Sequence, residues 1–291
     1  MTTVPSIVWW LLSSSVCLLI GWCSLSTWRV LNPERRLQQP QVPSTDLEAI
    51  PIQATDATRF SAWRLKPSGI PQAHLLFFHG YYADRYQVLG IAELMRQRGF
   101  ASWVMELRGH GQRPGPCTLS VKESDDAHSL LRWIQSNAND QQRPVAVLGF
   151  SMGACVALRL ALITDEVAAV ITDSAFSRLY PVIRSSIRKR YHLPGFFSWL
   201  TWKSVCGVLA AYGGFLEPFA MAKQLRMPLL VIVPGADTVV DASDSRELYE
   251  NWRGSKQRWD DASAGHVKLF EQNPLAYAER VTDFLTETFA S

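Results

Sequence analysis

Between residues 59 and 233, short and continuously apolar runs alternate with amphipathic stretches, and few architectures accommodate that alternation. The runs are Arg59–Leu65, His74–Phe78, Ala101–Glu106, Val145–Gly149, Ala168–Thr172 and Leu229–Val233. Most are apolar at successive positions rather than at every second one, so both faces of each strand must be covered. The stretches between them carry the helical period. Val88, Ile91, Ala92 and Met95 recur at i, i+3, i+4, i+7, as do Ala127, Leu130, Leu131 and Ile134. Ser120 with Glu123 reads as a capping box for the second of these helices. Asn273-Pro274 reads as N-cap and N1 of a last helix, with its own stripe of Tyr277, Val281, Phe284 and Leu285. The pattern predicts an α/β chain with a mostly parallel central sheet flanked by helices.

One stretch breaks the alternation. Arg178 to Leu225 separates two predicted strands by far more than the roughly 2 to 6 residues of an ordinary connection, which predicts an inserted helical cap at about 178–225. Seven cations and one carboxylate lie in it, so it is strongly basic while the whole 291-residue chain has a net charge of only +3. It also carries Tyr191, Phe196, Phe197, Trp199 and Trp202. With 47% hydrophobic residues the chain can bury one large core, which excludes a disordered or disulfide-stapled protein. The five cysteines are scattered with no C-x-x-C pair, so neither a zinc site nor a disulfide framework is expected. The small net charge argues against a nucleic-acid partner.

The run Val145–Leu148 leads into Gly149-Phe150-Ser151-Met152-Gly153, followed by a segment of helical composition. This is G-x-S-x-G between a strand and a helix. Glycines flank the serine where a sharp turn brings neighbouring backbones too close for larger side chains. The turn would lift Ser151 Oγ above the C-terminal edge of the sheet and aim the next backbone N–H at a developing oxyanion.

With these residues the chain from about Asp46 to Ser291 resembles the α/β-hydrolase family, and four further motifs carry the resemblance. His79-Gly80 ends an apolar strand like the family's oxyanion loop, which implies that the backbone N–H of Tyr81 joins that of Met152 in holding the negative oxygen. Glu106-Leu107-Arg108-Gly109-His110-Gly111 is similar to a D-x-R-G-x-G turn, with Glu in place of Asp. Pro234 to Val240 resembles the acid-bearing turn, although Pro234 stands where glycine is common. Ala264-Gly265-His266 and the helix after it resemble the terminal histidine loop. The resemblance implies a Ser151, Asp237, His266 triad in the family's chain order, with no metal and no cofactor.

Alternatives stand beside each assignment. Among the six histidines, His110 is the main competitor for the base, His79 is expected to be structural in the oxyanion loop, and His74, His128 and His192 are expected at the surface or in packing. Asp241 competes with Asp237 for the acid, and Asp173 reads as a helix cap and turn residue.

Upstream, no charged side chain occurs from Thr2 to Trp28, and Ile7–Leu25 is long enough to cross about 30 Å of hydrocarbon. Trp9, Trp10, Trp22 and Trp28 stand towards its ends, as interfacial indoles do. We read residues 1–30 as an N-terminal transmembrane anchor, 31–45 as a Pro-rich linker and 46–291 as the hydrolase domain. A cleaved signal peptide is the rival reading, since Ser24-Leu25-Ser26 resembles a processing site, but no Lys or Arg precedes the apolar run. Arg29, Arg35 and Arg36 follow it, which places the domain in the cytoplasm by the positive-inside bias.

The implied activity is a serine hydrolase acting on an ester or thioester, with a small-molecule or lipid acyl substrate, and the membrane as a partner of the anchor and of the basic, aromatic cap. A serine aminopeptidase-like amide hydrolase and a non-catalytic binding module of the same fold are the alternatives.

Overall fold

The apolar runs at the centre of the chain become strands buried at every position: β3 (His74–Phe78), β4 (Ala101–Met105), β5 (Val145–Phe150) and β7 (Leu229–Pro234). In the computed structural model, which describes residues 4–35, 47–137 and 142–290, they are joined by β1 (Leu47–Gln53), β2 (Arg59–Leu65), β6 (Val167–Asp173) and β8 (Lys256–Asp261). The eight strands form one sheet in the order β1-β2-β4-β3-β5-β6-β7-β8. β1 and β2 pair antiparallel, as do β2 and β4, and the remaining six strands run parallel.

Both faces are covered because successive strand residues serve opposite cores. Leu75 and Phe77 join one apolar cluster with α2 (Tyr86–Gln97) and α10 (Pro274–Ala290). Leu76 and Phe78 join the other with α3 (Val121–Asn137) and α4 (Met152–Ile163). The predicted stripes on α2, α3 and α10 all face inward. Two edge strands, β1 and β8, were not expected. Each pairs on one side only, so β1 tolerates Pro51 and β8 the polar sequence Lys-Gln-Arg-Trp-Asp-Asp, and neither leaves an apolar run to read. The capping box forms by half. Glu123 accepts from Ser120 N at 3.0 Å, but the hydroxyl that accepts a helical N–H is that of Thr118, from Lys122 N at 2.7 Å.

Between β6 and β7 stand α5 (Leu179–Tyr191), α6 (Gly195–Ala210) and the short α7 (Pro218–Ala222), which occupy the predicted insertion. α8 (Ala242–Asn251) and α9 (Leu269–Gln272) complete the chain.

The first helix, α1 (Val4–Leu31), is long and apolar enough to cross a membrane, with a mean hydropathy of 1.7 over an 18-residue stretch. Its far half stands clear of the body and its near end is docked. Val8 to Leu18 are exposed at every position. Trp22 Nε1 donates to Phe197 O and Thr201 Oγ1 on α6, and Thr27 Oγ1 donates to Ser204 Oγ at 2.8 Å. Leu31 is buried in the core and its carbonyl accepts from Cys117 N at 2.7 Å, while Tyr81 Oη donates to Val30 O at 2.8 Å. At the start of the expected linker, Leu31 and Pro33 are buried. Linker residues 36–45, Arg36 included, lie outside the described residues.

Candidate active site

The whole turn from β5 to α4 is made by one residue. Ser151 has φ +53° and ψ −113°, a backbone region that non-glycine residues occupy at a cost of about 1–3 kcal/mol. The flanking glycines explain how the turn closes. A β-carbon on Gly149 would lie 2.1 Å from Gly153 O, and one on Gly153 would lie 2.2 Å from Phe78 O. Ser151 N donates to Asp173 O at 2.8 Å, tying the turn to the end of β6.

Against this serine stands the loop after β8. His266 Nε2 lies 3.0 Å from Ser151 Oγ, and His266 Nδ1 lies 2.6 Å from Asp237 Oδ2. The imidazole thus donates through Nδ1 to the carboxylate and presents Nε2 as acceptor to the serine hydroxyl. Asp237 Oδ1 accepts from Val239 N at 2.8 Å and Val240 N at 2.9 Å, so the carboxylate is fixed from both oxygens, with its side chain 2% exposed against 19% for His266. Asp241 takes no part: it is the N-cap of α8, accepting from Ser243 N, and the Ser243 hydroxyl, followed by that backbone bond, holds its carboxyl below the usual range. The proline of the acid turn does not disturb the geometry. β7 runs through Pro234 in register with Asp261, Gly235 N donates to Asp261 O at 2.6 Å, and Ala236 N donates to Ala264 O at 3.0 Å.

The loop after β3 forms the other wall. His79 donates from Nδ1 to Gly80 O (2.9 Å) and accepts at Nε2 from Leu107 N (3.0 Å), and full burial pushes its pKa down to about 4. It is a neutral brace between two loops. Gly80 N donates to Gln87 Oε1, and a β-carbon on Gly80 would be 3.5 Å from Ser151 Cβ, so Tyr81 follows at the serine's side. Met152 opens α4, and its N–H belongs to the first turn, which a helix leaves without an internal acceptor. His110, the competitor for the base, is buried elsewhere: Nδ1 donates to Arg108 O, its ring packs edge-on to His79, and burial pushes its pKa down to about 3. His74 is a packing residue, accepting from Trp103 Nε1 at 3.1 Å.

Glu106 supports this wall. Its carboxylate accepts from Arg85 N and Arg85 Nε, both at 2.8 Å, and Gly111 is needed because a β-carbon there would sit 2.3 Å from that carboxylate. The longer Glu reaches the partners a turn carboxylate needs.

Asp173 is a correction. It caps no helix, since α5 begins six residues later. Its buried carboxylate accepts from Ser174 Oγ at 2.7 Å and Tyr277 Oη at 2.9 Å, and burial raises its pKa to about 6. Ser174 Oγ in turn accepts from Val267 N at 2.9 Å, the residue after His266. Asp173 therefore braces both the serine turn and the histidine loop. Its place at the end of the strand beside β5 was the available signal, masked by the Asp-Ser pair that also begins turns.

Comparisons with known proteins agree with this architecture. A family model described as the alpha/beta hydrolase fold matches residues 73–200. The uncharacterized protein Rv2307c of Mycobacterium tuberculosis is 25% identical over 239 residues, covering 81% of this chain and 78% of its own. Among solved structures, the Pyrococcus furiosus esterase Pf2001 superposes with a TM-score of 0.75 at 22% identity, over 89% of this chain and 98% of that one. The Exiguobacterium antarcticum esterase EaEST does so with a TM-score of 0.60 at 17% identity, over 84% and 100%. The sheet order, the strand–turn–helix at Ser151 and these likenesses together establish that the chain has the α/β-hydrolase fold.

Proposed function

We propose that this chain is a serine hydrolase that cleaves an ester or thioester through an acyl-Ser151 intermediate, held at a membrane by α1. The observation that carries the reading is the single imidazole, His266, in hydrogen-bond contact with Ser151 Oγ at 3.0 Å and Asp237 at 2.6 Å. A neutral hydroxyl is a poor nucleophile. As Ser151 Oγ attacks the acyl carbon, its proton passes to His266 Nε2, and Asp237 stabilises the imidazolium through Nδ1–H. The backbone N–H groups of Tyr81 and Met152 hold the oxyanion, each donor lowering the barrier by roughly 3–4 kcal/mol. His266 then protonates the departing alcohol or thiol. Water, deprotonated by the same imidazole, releases the acid and restores Ser151.

The solved structures of similar fold that are esterases support an ester as substrate. The basic and aromatic cap supports a lipid acyl ester, and the cations after α1 support a cytoplasmic domain. A fluorophosphonate probe tests the reading: wild type is expected to label and Ser151→Ala not to. Equal labelling of both, or of neither, overturns it. Resistance of the full chain to alkaline carbonate extraction tests the anchor.

A further inference from the structure

The part of α1 that stands free is shorter than a bilayer. Val8–Leu18 spans about 17 Å at 1.5 Å per residue, against about 30 Å of hydrocarbon. If α1 crosses the membrane, the remaining distance is found along its docked part, up to about the level of Trp22 and Ser24. At that level Trp22 packs edge-on against Phe197 (5.4 Å between centroids) and Tyr191 (5.6 Å). The cap helix α6 starts there, with Phe196 53% exposed and Trp199 44% exposed, their rings stacked on each other. An outward pair of large aromatic rings at the foot of an apolar helix continues that helix's apolar surface.

The charge beside it has one sign. Arg184, Ser185, Arg188, Lys189 and His192 line a groove of about 540 Å³ on α5. Arg184 Nε lies 3.8 Å from where a β-carbon of Gly195 would be, at the start of α6. Arg29 and Arg190 both stand over the Tyr191 ring, at 5.9 and 5.8 Å. Aromatic rings with cations just above them match the boundary between acyl chains and anionic headgroups.

We propose that the cap is seated in an anionic leaflet: Phe196 and Trp199 enter the acyl–headgroup boundary beside Trp22, and the α5 groove takes lipid headgroup phosphates. This rests on the reading of α1 as a membrane span. On it, the body lies on the bilayer cap-first instead of hanging from a free tether, and lipid is the acyl source within reach of the cap.

The test is photocrosslinking of the full chain in vesicles of phosphatidylcholine and phosphatidylglycerol, with p-benzoylphenylalanine replacing Leu11, Ile70, Phe196 or Trp199 in turn. All four side chains are exposed, so folding is retained. Lipid adducts are expected at 11, 196 and 199, with about tenfold less at 70. Adducts at 11 with only the background of 70 at 196 and 199 overturn the seat and leave the anchor standing. No adduct at 11 removes the anchor reading, and the seat with it. Equal yields at 196 and 199 in pure phosphatidylcholine overturn the anionic specificity.

Discussion

At the C-terminal edge of the sheet the side chains around Ser151 are held from two directions. Asp237 is bound at both oxygens, His79 at both ring nitrogens, and Asp173 by two hydroxyls. Along α5 and α6 the construction is different: Phe196, Trp199 and Val208 face outward, and the cations lean on rings, with Lys203 Nζ 4.7 Å from the Trp202 centroid. In the first region each of these groups is held by two hydrogen bonds or more. The second leaves apolar surface and positive charge exposed, which the proposed seat in a lipid leaflet would cover. Truncating a side chain in the first should be felt in rate or stability, and in the second only when that outside surface is present.

The largest effect expected is on chemistry. Ser151→Ala should lower kcat for a p-nitrophenyl ester on the order of 10⁴–10⁶-fold, and Asp237→Asn about 10⁴-fold, with little change in KM. Gly153→Ala comes next, because its β-carbon would meet Phe78 O at 2.2 Å; a loss of about 3 kcal/mol or more in urea unfolding, or failure to fold, is expected.

The acid dependence of stability is a third measure. His79 titrates at about 4 in the folded chain and near 6.5 unfolded, so the unfolded state binds more protons between those values. Stability from this group is full above about pH 6.5 and is lost as pH falls to 4, by up to about 3 kcal/mol. His110, pushed to about 3, adds in the same direction, while Asp173, raised to about 6 from 3.8, opposes the slope between those two values. Denaturation at pH 7 and pH 5 should show the net loss, and His110→Gln should reduce it.

Ser174→Ala, which frees Val267 N and removes one of the two hydroxyls on Asp173, should cost about tenfold in kcat with KM unchanged, since it loosens the histidine loop without touching the triad. The smallest effect is on the other side of the comparison. Phe196→Ala should change unfolding free energy in detergent by less than about 0.5 kcal/mol. A loss of several kcal/mol there would show that the cap, too, is built for internal fit.

The buried centre of this fold was legible because strands covered on both faces must be apolar throughout, as β3, β4, β5 and β7 are. The edges were not, because a strand paired on one side needs no apolar run, as Lys256–Asp261 illustrates. Ser151 and His266 could be read from short motifs whose glycines answer a local steric demand. Asp237 could be preferred to Asp241 for its place nearest the end of β7, although the partners of each carboxylate are visible only in the structure, and Asp173 stayed hidden because its work is done through Ser174 and Tyr277, residues far from each other in the chain. The docking of Trp22 on α6 had no signal at all, since a tryptophan near the end of an apolar helix fits lipid and protein equally well.

The hydroxyl of Tyr81 on the last carbonyls of α1 has a mechanical side. The same residue whose amide is assigned to the oxyanion gives its Oη to Val30 O, and Cys117 N grips Leu31 O one step on. A bilayer too thin or too thick for an apolar helix makes it lean. On the proposed reading of α1 as a span and Ser151 as nucleophile, the lean does not stop at the membrane surface, because the near end of the lever is fastened to the loop beside Ser151; turnover then registers the thickness of the lipid sheet in which the long arm is set.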